Sequence, residues 1–230
     1  MVTKTVTGHR FVRPRRNKAY GQSQMDKLKD KVILITGAGK GSGRILTQAF
    51  AERGAIVAAN DISPINVEEV VDQILAKGGR AKAYVDDIAK KVAVQNIINQ
   101  VEDDFGRIDI LINHAAVEPD IPLLDMDEWD WHRTLDVNLT GAFLMTQSVG
   151  RVMRVQGSGT IINLITQSSD TTPTQAKAAF LASMSGLDGF THQAARELRP
   201  HGIHVYAVED AQNKVAETIF ALLDVQMEER

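Results

Sequence analysis

From Lys31 onward, short and almost continuously apolar runs alternate with segments in which apolar side chains return every three to four positions. The runs cover residues 32–36, 55–60, 81–85, 108–113, 160–165 and 203–208. Runs of this length without polar alternation predict strands buried on both faces. The intervening segments 44–53, 67–77, 92–105, 128–153 and 180–198 carry helical periodicity. Gly78-Gly79, Gly106, Gly157-Ser158-Gly159 and Pro200-His201-Gly202 punctuate helix ends. After the sixth run one more helix is readable, over 215–223. Strand and helix in strict alternation predict an α/β domain whose parallel sheet is covered on both faces. The chain shows no internal repeat and no low-complexity segment.

Composition narrows the picture by exclusion. The 230 residues suffice for one domain with a sizeable core and are too few for two generous ones. With 43% hydrophobic and 24% charged residues and a formal net charge of −3, nothing points to nucleic acid or an anionic membrane as a partner. Cysteine is absent, which removes disulfides, thiolate catalysis and cysteine metal sites, and suits a cytoplasmic location. No apolar run approaches transmembrane length. Residues 1–24 stand apart: they hold Lys4, Arg10, Arg13, Arg15, Arg16 and Lys18 and no acidic residue. They are expected to be a basic terminal arm, either draped over the surface or packed on a neighbouring subunit or acidic partner, before a single domain over 25–230.

The chemistry begins at Thr36-Gly37-Ala38-Gly39-Lys40-Gly41-Ser42-Gly43, a glycine-rich turn that leaves a strand and opens a helix. Glycines there permit a tight turn and bring backbone N–H groups and a helix N-terminus toward a pyrophosphate. Many strand-to-helix turns are rich in glycine, so the run is suggestive only in its context. Its spacing resembles the Thr-Gly-x-x-x-Gly-x-Gly loop of the short-chain dehydrogenase/reductase family, and the resemblance continues down almost the whole chain. It implies a Rossmann-like, doubly wound parallel sheet of six strands in the order 3-2-1-4-5-6, with helices on both faces. It also implies a dinucleotide held by Gly37, Lys40, Gly41, Ser42 and Gly43. Asp61, at the end of the second strand, would accept hydrogen bonds from both ribose hydroxyls and repel a 2′-phosphate, favouring NAD over NADP. Lys40 sits where basic residues sometimes favour NADP. Asp87-Ile88 matches the family's pair beside the adenine, and Asn113-His114-Ala115-Ala116 resembles its Asn-Asn-Ala-Gly turn, with His114 and Ala116 as departures. Plain solvated strand-end acids remain the alternative for Asp61 and Asp87.

At the opposite half of such a site the resemblance breaks. The segment from Trp129 to Gly141 is similar to the family's fourth-helix signature and puts Asn138 on the asparagine that supports a water in the proton relay. Thr166 ends the fifth strand at the position of the catalytic serine, and reads equally well as an ordinary strand-end threonine. The family's Tyr-x-x-x-Lys pair falls on Phe180 and Met184, which can neither exchange a proton nor carry charge. The only tyrosines are Tyr20, Tyr84 and Tyr206, and Lys177 precedes Phe180 on the wrong side. Beyond the sixth strand the family shows Pro-Gly, a long substrate-covering loop and a seventh strand. Here Glu209-Asp210 follows, and neither the loop nor the strand is readable. His201 and His204 lack a third ligand for a metal site, and His132 and His192 read as helix-surface residues.

The expectation is therefore an NAD(H)-binding relative of these dehydrogenases that is impaired in the usual proton relay: a pseudoenzyme, a regulator or a silent subunit. Two alternatives stand beside it. One is an active NAD-dependent oxidoreductase on a small alcohol or carbonyl compound, using Thr166, water or another chain's group. The other is a structural module without cofactor. The resemblance implies pairing as a homodimer or with an active homologue.

Overall fold

In the computed structural model the described residues are 28–166, 176–210 and 214–228. The basic segment 1–24 lies outside them. Six strands, β1 (Val32–Thr36), β2 (Ile56–Asp61), β3 (Arg80–Val85), β4 (Ile110–Asn113), β5 (Gly159–Ile165) and β6 (Ile203–Glu209), form one sheet in the order β3-β2-β1-β4-β5-β6. All neighbours run parallel, in register at Val32↔Ile56, Ile56↔Arg80, Ile33↔Ile110, Ile110↔Thr160 and Gly159↔Ile203. This is the doubly wound, Rossmann-like arrangement with the strand order the resemblance implies.

Side-chain alternation along each strand feeds two cores. Ile33 and Ile35 of β1 point to one face, where they meet Leu46 and Phe50 of α1 (Gly41–Glu52), Val67 and Val70 of α2 (Pro64–Ala76) and Ile219 and Phe220 of α7 (Val215–Glu228). Phe220 meets Phe50 edge-on at 4.9 Å between ring centroids, and the Arg53 guanidinium lies 3.6 Å over the Phe220 ring. Val32 and Leu34 point to the other face, against Val94, Ile97 and Ile98 of α3 (Lys91–Phe105), Met145 and Val149 of α5 (Ala142–Gln156) and Ala194 of α6 (Ala178–Leu198). Each fully buried aliphatic side chain contributes about 1.5–3 kcal/mol relative to exposure.

Two departures from the apolar pattern are informative. The inner strands β1, β4 and β5 are buried at every residue, whereas β3 exposes Arg80, Lys82 and Val85. β3 borders the sheet, and its cations pair outward, Arg80 with Asp30 at 2.6 Å and Lys82 with Asp104 at 2.6 Å. Charges of this kind suit an unpaired edge. The helical stretch 128–153, read as one helix from its periodicity, is divided: α4 (Glu128–Leu135), a π-helical turn (Asp136–Gly141), then α5. At Gly141 an added Cβ would lie 2.9 Å from Ile88 Cδ1, so glycine lets the wide turn close on the strand-end loop after β3. α4 starts where Asp127 accepts the Asp130 N–H at 2.8 Å, consistent with the acidic run serving a helix N-terminus.

Candidate nucleotide site

The order of the sheet reverses between β1 and β4, and a cleft opens beyond the carboxyl ends of the strands there, as expected at the switch point of such a sheet. It encloses about 290 Å³ and is bounded by Gly37 and Lys40, by Asn60 to Ser63 with Asn66, by Asp86 to Ile88, by His114 to Val117, and by Arg133 and Val137. A larger hollow of about 490 Å³ lies at the amino-terminal ends of the strands, between Lys29, Arg53, Lys77 and Arg80. It contains none of the sequence-predicted site residues.

Around the glycine turn the backbone is held from both sides. The Thr36 hydroxyl accepts the N–H groups of His114 and Ala115, each at 3.1 Å, and so ties the turn after β4 to the end of β1. His114 Nε2 accepts the Gly43 N–H at 3.1 Å, which leaves the ring proton on Nδ1 to donate to the Gly37 carbonyl, also at 3.1 Å. Burial pushes the His114 imidazolium pKa below its ordinary value, while Asp210, the Gly37 and Thr36 backbone and Asp61 pull it partly back. At Gly43 a Cβ would sit 2.1 Å from the Gly37 carbonyl oxygen and 2.5 Å from His114 Nδ1, so only glycine permits this packing. At Gly41, by contrast, φ is +53° and nothing lies within 4 Å of where a Cβ would stand, leaving an open space at the start of α1.

Two acids, Asp61 and Asp87, border the cleft. Asp61 accepts the Gly39 N–H through Oδ2 and the Ser63 N–H through Oδ1, both at 2.9 Å, which fixes its carboxylate at the rim of the cleft. Asp87 pairs with Arg133 at 3.0 Å, and Ile88 is almost fully buried behind it. Gly37, Lys40, Asp61, Asp87, Ile88 and Ala115 thus come together on one cleft. Gly41, Ser42 and Gly43 lie beside it, in the first turn of α1. Asn113 does not face it. Its amide turns into the core, donating to Asn163 Oδ1 at 2.8 Å and to the Thr146 hydroxyl at 3.2 Å, and Asn163 in turn donates to Thr191 at 2.8 Å.

With the cleft, the glycine turn and the strand order in place, the comparison with known proteins is decisive: the family model for short chain dehydrogenases matches residues 31–214. The chain belongs to the short-chain dehydrogenase family. It is 38% identical over 185 residues to a 3-oxoacyl-[acyl-carrier-protein] reductase of Synechocystis, covering 80% of this chain and 74% of that protein. A solved NAD⁺-bound xylitol dehydrogenase is similar at a TM-score of 0.75 and 33% identity, covering 80% of this chain and 70% of the other. A metagenomic short-chain oxidoreductase in complex with NADP matches at a TM-score of 0.79 and 29% identity, with 85% and 90% covered. Both dinucleotides thus occur among the neighbours.

Asn138, Thr166, Phe180 and Met184 do not line the open cleft. Phe180 and Met184, near the start of α6, are 5% and 4% exposed. They pack with Ala142, Ile165 and Leu187, and with Leu139, Leu181, Phe190 and Ala207 around them, while the buried Ser183 hydroxyl beside them donates to the Phe180 carbonyl at 2.7 Å. Thr166 directly follows Ile165 of that cluster at the end of β5. Asn138 lies in the π turn, 1% exposed, and its side chain is fully engaged: Oδ1 accepts the Val117 N–H at 2.8 Å, and Nδ2 donates to the Val117 carbonyl at 2.9 Å and to the Ser183 hydroxyl at 3.0 Å. Lys177 forms an ion pair with Glu118, joining the loop after β4 to the segment before α6. Among the described residues no helix is long and apolar enough to cross a membrane, and no group of three or more His, Cys, Asp or Glu is arranged to hold a metal.

Sequence reading missed Arg133, Asn66 and Asp210 as neighbours of the site. Arg133 carried no signal beyond its place in a helix. Asp210 did carry one, as part of the Glu209-Asp210 pair that replaces Pro-Gly, and Ser42 donates to its Oδ1 at 2.7 Å.

Proposed function

We propose that this short-chain dehydrogenase relative binds NAD(H) through the cleft at the ends of β1, β2 and β4 and is impaired in the family's proton relay. The observation that carries the reading is the pair Phe180 and Met184, buried together in an apolar cluster at the positions of the family's tyrosine and lysine. A phenyl ring and a thioether offer no proton to a substrate oxygen. General acid–base catalysis contributes about 10²–10⁴ in rate, and the missing ammonium removes further stabilisation of developing alkoxide charge.

The residues lining the cleft fit the adenosine part of the cofactor. The Asp61 carboxylate, held by two backbone N–H groups, stands where ribose hydroxyls would donate and a 2′-phosphate would be repelled, which supports NAD over NADP. Ile88 and Val137 supply an apolar wall. Bound nicotinamide would supply hydride chemistry. This chain's own contribution is binding and orientation, which suits a pseudoenzyme, an NAD-responsive regulator or a silent subunit, in the cytoplasm, as a homodimer or beside an active homologue.

Calorimetry with NADH should show saturable binding that Asp61→Ala weakens by about tenfold or more, the loss expected for two hydrogen bonds to a charged group. A broad alcohol and ketone screen should show no turnover. Turnover that Thr166→Val abolishes would identify an active oxidoreductase with an altered proton path. Absence of heat with NADH and NADPH alike would identify a module without cofactor.

A further inference from the structure

The N-terminal end of α1 is supplied with polar partners by the chain itself. Ser42 occupies the second position of α1, and its hydroxyl donates to Asp210 Oδ1 at 2.7 Å. Asp210 follows β6 without an intervening loop and is anchored by its own N–H, which donates to the Ile165 carbonyl at 2.9 Å. One residue further along α1, the Gly43 N–H is taken by His114 Nε2. A carboxylate and a ring nitrogen therefore stand where the dipole and free N–H groups of a helix terminus would receive a diphosphate. The open cleft agrees: it runs along Asp61, Asp87, Ile88 and Val117, and its walls include neither Ser42 nor Gly43 nor Asp210.

We propose that Asp210 holds the anion position at the start of α1, so that the site selects the adenosine moiety of a nucleotide and resists its diphosphate. This rests on the reading of the cleft as the adenosine subsite given above. A negative group beside Ser42 repels a second one, and the two compete for the Ser42 hydroxyl. The site consequently discriminates among adenine ligands by their charge as well as by their shape. Asp210 is thereby a specificity-determining residue for any dinucleotide the protein takes.

Calorimetric titration of adenosine, ADP and NADH into the wild type, Asp210→Asn and Asp210→Ala tests this directly. Asparagine keeps an oxygen for the Ser42 hydroxyl and removes only the charge; alanine removes both, and serves if the asparagine variant misfolds. Both variants should bind NADH and ADP about tenfold more tightly than the wild type, the size expected for one charge at a partly buried helix N-terminus. Adenosine affinity should be unchanged, and the NADH gain should shrink as salt is raised. NADH affinity that is unaltered or weakened in variants with wild-type melting curves would overturn the proposal. An equal gain for adenosine would also overturn it, by showing that Asp210 shapes the cleft rather than charging it. Failure of adenosine and NADH to bind any of the three proteins would remove the nucleotide reading itself, and the proposal with it.

Discussion

His114 does the work of a bolt between two loops. Because Nε2 receives the Gly43 N–H and Nδ1–H donates to Gly37, both ring nitrogens are committed in the neutral form. A second proton on the ring would set two donors against each other at Gly43 and place charge where burial already disfavours it. Asp210 and Asp61 oppose that penalty without removing it. The folded-state pKa therefore lies below the unfolded value of about 6.5, and above that pH the residue adds no pH dependence. As pH falls below it, the unfolded chain binds a proton that the folded chain refuses, and stability declines by up to about 1.4 kcal/mol per pH unit until the folded pKa is reached. Urea unfolding of the wild type and His114→Gln at about pH 7.5 and about pH 5.5 measures the difference. The variant, whose amide can both donate and accept, should lose less stability on acidification. Parallel declines would locate the acid sensitivity elsewhere.

At the scale of elements, the π turn between α4 and α5 is what brings Asn138 to Val117. The wide turn places this one side chain against both the N–H and the carbonyl of the loop after β4, and against Ser183 of α6, so three elements meet on a single amide. Asn138→Ala would leave the Val117 groups in want of partners and should cost about 2–4 kcal/mol in denaturant unfolding, from the desolvation of partly buried amide groups. Asn138→Asp should recover little of this, since a carboxylate cannot donate to the Val117 carbonyl; recovery to wild-type stability would show that the acceptor alone matters. The turn itself was not legible in the sequence. The apolar spacing continues through 128–153 with no proline to mark a break. The strands were legible because parallel strands buried on both faces need continuous apolar runs, which is why β1 has the bounds its pattern predicts. β3 read as a strand too, but its exposure did not, since edge position is a property of the sheet and not of the segment. Asn113 was legible as part of the turn after β4, but its pairing with Asn163 depends on the β4–β5 register, which no local pattern encodes. Within the site, the glycine turn and Asp61 were readable because each is defined by its neighbours in sequence. Asp210 and Ser42 lie 168 positions apart and meet only once the sheet has formed.

On the scale of the whole molecule, the open cleft and the surroundings of Phe180 and Met184 are built differently, and this has an observable consequence. The cleft hangs on the tips of β1, β2 and β4, whose roots are anchored in both cores. Phe180 and Met184 belong to a third, smaller apolar cluster, with the buried Ser183 hydroxyl tied to the Phe180 carbonyl. Native-state amide exchange follows local opening free energies, so β1, β4 and β5, buried at every residue, should exchange slowest and the solvent-facing edge β3 fastest. A ligand binding only the folded state raises protection by RT ln(1 + [L]/Kd), about 2.7 kcal/mol at a hundredfold excess over Kd, wherever exchange requires opening of its site. Saturating NADH should then slow exchange in the glycine turn, in the segment after β2 and at Val117. The first turns of α6, from Ala178 to Met184, already packed without the ligand, should change little. Strong NADH-dependent protection at the start of α6 would therefore mean that the apolar cluster opens to admit the nicotinamide, and the assignment of an impaired relay would have to yield to one in which binding remodels the site.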